Sequence, residues 1–127
     1  MRFGERFPCS IMAAMKLTTH VLDTAHGRPA AGLRIVLTRL GDGAVLADIV
    51  TNSDGRADRP LLEGEDAVGQ SYELAFHVGD YLRASGVALP GTPFLDIVPV
   101  RFGVSEDQHY HVPLLVSPYG YSTYRGS

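Results

Sequence analysis

The chain has 127 residues, 45% of them apolar and 20% charged, which fits one folded domain with its own core and excludes a disordered chain. Eleven Lys and Arg against fourteen Asp and Glu leave a net charge of -3, without the basic excess expected for nucleic-acid or anionic-membrane binding, and no apolar run approaches the roughly 18 residues of a membrane span. A single cysteine, Cys9, excludes an internal disulfide, and 14 Gly with 8 Pro punctuate the chain densely enough to predict many short elements.

Residues 1–15 carry Arg2, Glu5, Arg6 and Pro8 and lack the apolar core of a secretory signal. They read as a mobile extension before a domain at 16–127, and the poor signal predicts a cytoplasmic protein. From Lys16 the pattern has period two. Leu17, Thr19 and Val21 share one face of a strand, and Thr18, His20 and Leu22 share the other. His26-Gly27-Arg28-Pro29 is a turn. Leu33, Ile35 and Leu37 alternate with Arg34, Val36 and Thr38, Gly41-Asp42-Gly43 turns the chain, and Leu46 to Thr51 forms another strand. Asn52-Ser53-Asp54-Gly55 is turn chemistry again. Strands follow at Ser71–Val78 and Val98–Phe102, separated by a short helix at Gly79–Ser85 that Gly86 closes. Tyr110, Val112, Leu114 and Val116 alternate with His109, His111, Pro113 and Leu115, and Ser117-Pro118-Tyr119-Gly120 leads into a last strand, Tyr121 to Tyr124. Seven or eight short strands in one small domain predict an antiparallel sandwich. The last strand has neither charge nor proline to blunt its edge, which invites pairing with a second subunit.

Five histidines are the natural proton carriers at neutral pH. His26, in a turn, and His77, on a polar strand face, read as solvated. His109 and His111 are two apart and so project from the same face, opposite the core residues Tyr110 and Val112. His20 leaves the core face of its own strand by the same rule. Three outward imidazoles fit two chemistries. One is a catalytic zinc with an open position. The other is metal-free acid–base catalysis, in which one neutral imidazole takes a proton from water and a second imidazole or an arginine stabilises the charge on oxygen. Arg56 is that arginine if its turn places it near the histidine face. At the other end, Gly126 and Ser127 either trail in solvent or fold inward with a hydroxyl and a carboxylate. No phosphate loop, dinucleotide fingerprint, CxxC or G-x-S-x-G elbow is present.

Three blocks resemble one family. Leu17-Thr18-Thr19-His20-Val21-Leu22-Asp23, Thr51-Asn52-Ser53-Asp54-Gly55-Arg56 and the stretch from His109 to the terminal Tyr124-Arg125-Gly126-Ser127 are similar to the motifs of the 5-hydroxyisourate hydrolases, the enzyme branch of the transthyretin-like proteins. The resemblance spans Lys16 to Ser127. It implies an all-β, transthyretin-like (prealbumin-like) antiparallel β-sandwich of two four-stranded sheets with one short helix. It also implies a homotetramer, with edge strands joining dimers and the active sites in a channel at the dimer–dimer interface. The implied reaction is hydrolysis of 5-hydroxyisourate to 2-oxo-4-hydroxy-4-carboxy-5-ureidoimidazoline in urate breakdown, with no cofactor and no metal. By motif matching His20, Arg56, His111 and Ser127 would be catalytic. His20, Arg56, Tyr124 and the neighbouring His109 would meet the substrate. The competing readings are a small-molecule carrier of the transthyretin type and a His-liganded zinc hydrolase.

Overall fold

A computed structural model of the chain describes residues 14–126. Where apolar and polar residues alternate, the chain forms strands, and these residues contain eleven of them. They are β1 (Lys16–Thr18), β2 (Val21–Asp23), β3 (Arg28–Pro29), β4 (Arg34–Arg39), β5 (Val45–Val50), β6 (Leu62–Glu63), β7 (Gln70–His77), β8 (Ile97–Val104), β9 (His109–His111), β10 (Leu114–Ser117) and β11 (Gly120–Thr123). A 3-10 turn lies at Glu65–Ala67, and the helix α1 (Val78–Ala84) follows β7. The helix ends as its glycine predicts. Gly86 takes φ 90°, its N–H donates to the Arg83 carbonyl, and the Val87 N–H donates to the Leu82 carbonyl. This paired closure satisfies carbonyls that the last turn leaves free.

One layer is the antiparallel sheet β5-β4-β7-β8. The other consists of β6-β1-β9 and β3-β2-β10-β11. These two pieces are halves of one kinked surface. The single strands expected at 17–22 and 109–116 are each cut in two, at Thr19-His20 and at Val112-Pro113. Pro113 has no N–H to give a ladder, and the Thr19 hydroxyl donates to the Val112 carbonyl at 2.8 Å. Backbone bonds from Val112 to Thr18 (3.0 Å) and from Leu114 to His20 (2.9 Å) carry the pairing across both breaks. The inside-outside register therefore survives the kink. The sandwich stands, but it is not purely antiparallel: β1 pairs with β9 and β2 with β10 in parallel. Alternation marks the faces of a strand and carries no information about its direction, which is why the sequence missed this.

The facing sides of the layers supply one core. Leu17, Val21, Ile35, Leu37, Leu74, Phe76, Leu114 and Val116 are fully buried. Each such side chain contributes about 1.5–3 kcal/mol of transfer free energy. Met15 is fully buried too, and its backbone N–H donates to Asp107 Oδ1 at 2.7 Å, so the core starts one residue ahead of Lys16. The rest of the expected extension, Cys9 included, lies outside the described residues except for Ala14. Among the described residues no helix is long and apolar enough to cross a membrane.

Candidate active site

The outer face of the kinked layer collects most of the candidate residues. Leu17, Thr19 and Val21 are buried, so Thr18, His20 and Leu22 point outward. Tyr110 and Val112 are buried, so His109 and His111 point the same way.

Arg56 reaches this face through its turn. The Asn52 side-chain carbonyl accepts the N–H groups of Asp54 (2.9 Å) and Arg56 (3.1 Å), and the Gly55 N–H donates to the Asn52 carbonyl. Gly55 sits at φ 75°, and a Cβ there would lie 2.5 Å from the Val21 carbonyl oxygen. Only glycine lets the turn press against β2, where the Gly55 carbonyl accepts the Val21 N–H at 2.8 Å. That docking sets Arg56 in an antiparallel bridge with His20, so the two side chains share a side.

The C-terminal segment closes the other flank. Gly126 forms an antiparallel bridge with His111, and its N–H donates to the His111 carbonyl at 2.7 Å. A Cβ at Gly126 would stand 2.9 Å from His111 Cδ2, so the glycine lies directly against the imidazole. Arg125 anchors the segment. Its guanidinium carbon is 4.2 Å from the centre of the Tyr110 ring and one of its amino groups donates to the His109 carbonyl. Ser127 lies outside the described residues. Tyr124 is 60% exposed and, in the register that pairs Thr123 with Leu114 and Gly126 with His111, falls opposite Pro113 on the histidine side. It also borders a cleft of about 270 Å³ between β8 and the C-terminal strand.

Thr18 is the site residue that the sequence reading passed over. Its hydroxyl lies 2.8 Å from His109 Nε2 and 2.8 Å from His111 Nδ1. The available signal was its position two residues before His20, on the same face.

Partial burial pushes the pKa of His111 below the ordinary histidine value, and the charges of Arg56, His109 and His20 push it the same way. The ring is neutral at neutral pH and can accept a proton. Among the described residues no three His, Cys, Asp or Glu side chains converge to hold an ion, and His109 Nε2 and His111 Nδ1 are both engaged by Thr18. A larger cavity, about 580 Å³, lies elsewhere, against Arg28, Ser53, Tyr81 and Ser85, and contains none of the candidate residues. Beside it His26 is exposed in its turn, as expected, but it is also paired. Its Nδ1 is 2.6 Å from Oδ2 of the buried Asp23, which also accepts the Tyr81 hydroxyl at 2.7 Å.

Three comparisons bear on this geometry. The chain is 64% identical over 115 residues to 5-hydroxyisourate hydrolase 2 of Rhizobium meliloti, covering 88% of this chain and 96% of that one. The solved structure of an (S)-allantoin synthase superposes with a TM-score of 0.85 at 47% identity, over 91% of this chain. This chain spans 44% of that longer one. Sea bream transthyretin in complex with thyroxine superposes with a TM-score of 0.76 at 26% identity, over 87% of this chain and 94% of that one. The HIUase/Transthyretin family model matches residues 17–126, and the chain belongs to that family.

Proposed function

We propose that the chain hydrolyses 5-hydroxyisourate to 2-oxo-4-hydroxy-4-carboxy-5-ureidoimidazoline by metal-free acid–base catalysis. The observation that carries this reading is the convergence of His20, Arg56 and a neutral His111 on one outer face, in a chain 64% identical to a protein bearing that hydrolase name. The substrate is flat, polar and able to carry negative charge. Arg56 offers a fork of donors to its oxygens and to the oxyanion that forms when water adds to a ring carbonyl. His111 takes the proton of the attacking water and returns it to the ring nitrogen as the C–N bond opens. His20, beside Arg56, orients the water or the oxyanion. Ser127, following the glycine on the His111 ring, is assigned the same orienting role, and Tyr124 and His109 border the substrate. Positioned acid–base help of this kind is worth about 10²–10⁴-fold.

The proposed working unit is a homotetramer, in which edge strands β8 and β11 join dimers and two dimers enclose the histidine face. The exposure of every residue of β11 and the openness of that face in one chain support it. A lone cysteine and no disulfide framework agree with a cytoplasmic setting. The test is a urate-plus-uricase assay that follows decay of the intermediate. Faster decay with the protein, and loss of about 10²-fold in kcat for His111→Ala, is the expected result. Binding without turnover would instead indicate a transthyretin-type carrier and overturn the proposal.

A further inference from the structure

Thr18 holds two imidazoles with one hydroxyl, and a hydroxyl has one proton. It donates to one ring nitrogen and must accept from the other. While both rings are neutral, their tautomers are therefore linked. In the first state Thr18 donates to His109 Nε2 and accepts from His111 Nδ1–H, so each ring carries its proton on Nδ1 and the Nε2 of His111 bears a free lone pair. In the second state Thr18 donates to His111 Nδ1 and accepts from His109 Nε2–H, so each ring carries its proton on Nε2. Only the first state makes His111 a base.

We propose that Thr18 is a positioning residue that locks His111 in its base-competent tautomer and joins it to His109 as a proton relay. The inference rests on the hydrolase reading above and names the group that makes His111 work. When His111 Nε2 takes a proton from the attacking water, Nδ1 passes its own proton to Oγ1 of Thr18. The hydroxyl proton of Thr18 moves to His109 Nε2. His111 and Thr18 are then neutral, and the positive charge rests on His109, whose ring is exposed to water. When the C–N bond opens, the three transfers run backward and the proton reaches the leaving nitrogen. Water's oxygen ends on the former carbonyl carbon and its hydrogen on the nitrogen, so nothing else is consumed.

The surroundings favour a brief stay of the charge. Among the described residues, Arg56 and His20 act on His111, while Lys16 on β1 lies in register with His109 and Glu63 on β6 lies in register with Lys16. Partial burial and the charges of Arg56, His109 and His20 all push the pKa of His111 down, so a proton held on that ring is repelled and is returned readily. His109 thereby gains the role that its position alone does not assign.

Two measurements on the full chain decide the matter. Nitrogen-15 spectra of the imidazoles should show His109 and His111 both protonated on Nδ1. Opposite tautomers, or both rings protonated on Nε2, overturn the proposal whatever the activity. Thr18→Val keeps the shape and removes the hydroxyl. It should lower kcat by about 100-fold with KM nearly unchanged, while Thr18→Ser restores kcat to within about tenfold of wild type. A Val variant within about twofold of wild type overturns the relay. An inactive wild-type chain would sink the hydrolase reading instead, and the spectra would still settle the tautomer lock.

Discussion

Gly126 has no side chain, and a Cβ there would press on the His111 ring from 2.9 Å. Gly126→Ala therefore displaces the imidazole without touching the core. A misplacement approaching 1 Å costs about 10²-fold in rate, so the alanine variant should lose activity on that scale while its urea midpoint stays put. Gly55 is the opposite case. Its φ of 75° and the 2.5 Å approach to the Val21 carbonyl oxygen make Gly55→Ala a backbone defect. It should lower stability by at least about 1–3 kcal/mol in urea titrations, and lower activity with it because the turn carries Arg56. The His111 ring supplies a pH prediction. Burial, then Arg56, His109 and His20, depress its folded-state pKa below 6.5. The acid limb of kcat/KM should fall below that value. Arg56→Gln removes a nearby cation, so an NMR titration should show the His111 pKa rise. Because the folded value is depressed, this ring's share of stability is present above pH 6.5 and is lost as pH falls through the folded pKa.

Two elements, the helix and β2, meet through one buried carboxylate. Burial alone would raise the pKa of Asp23, but the hydrogen bonds from Tyr81 and from the His26 ring and backbone, with the charge of His26, together lower it. Tyr81→Phe deletes one donor to a charged acceptor and should cost about 1.5–3 kcal/mol. The difference from wild type should be greatest above the ordinary carboxylate pKa of 3.8 and shrink as pH falls through the lower folded value, where Asp23 is neutral in both. A cost that does not vary with pH would assign Tyr81 to packing alone. This link shows where the sequence stops being legible. His26 is the exposed turn residue that the sequence suggests, but its pairing was hidden, because its partner is a strand residue that alternation marks only as inward. The strand faces and the α1 boundaries were readable, since both follow from local spacing and a glycine cap. The breaks at Thr19-His20 and Val112-Pro113 and the parallel pairings depend on contacts between distant segments, which no local period encodes. The site divides the same way. The outward direction of His20, His109 and His111 followed from period two. The approach of Arg56 to His20 needed the Gly55 turn to dock on β2, and Thr18 needed β1 and β9 side by side.

At the scale of the molecule, β8 and β11 are each paired on one side only within a chain. The two edges differ in kind. β8 contains Pro99 and Arg101, which blunt it, whereas β11 reads Gly120-Tyr121-Ser122-Thr123, uncharged and exposed throughout. The proposed dimer therefore depends chiefly on β11 meeting its own copy about a two-fold axis. Symmetry makes any charge added to that strand appear twice across the new pairing. Ser122→Asp places two carboxylates near the axis, where like charges on neighbouring strands repel. Ser122 lies in β11 opposite Leu115, not in the buried core, so the monomer fold should survive, with a circular dichroism spectrum and urea midpoint near those of wild type. Sedimentation velocity should show wild type as a four-chain species and the variant shifted to smaller ones. Specific activity of the variant should fall with the shift and recover as protein concentration rises, because in the proposed assembly neighbouring chains enclose the histidine face over the substrate. A fully active monomer would show that one chain suffices, and would remove assembly from the mechanism while leaving the roles of His20, Arg56 and His111 in place.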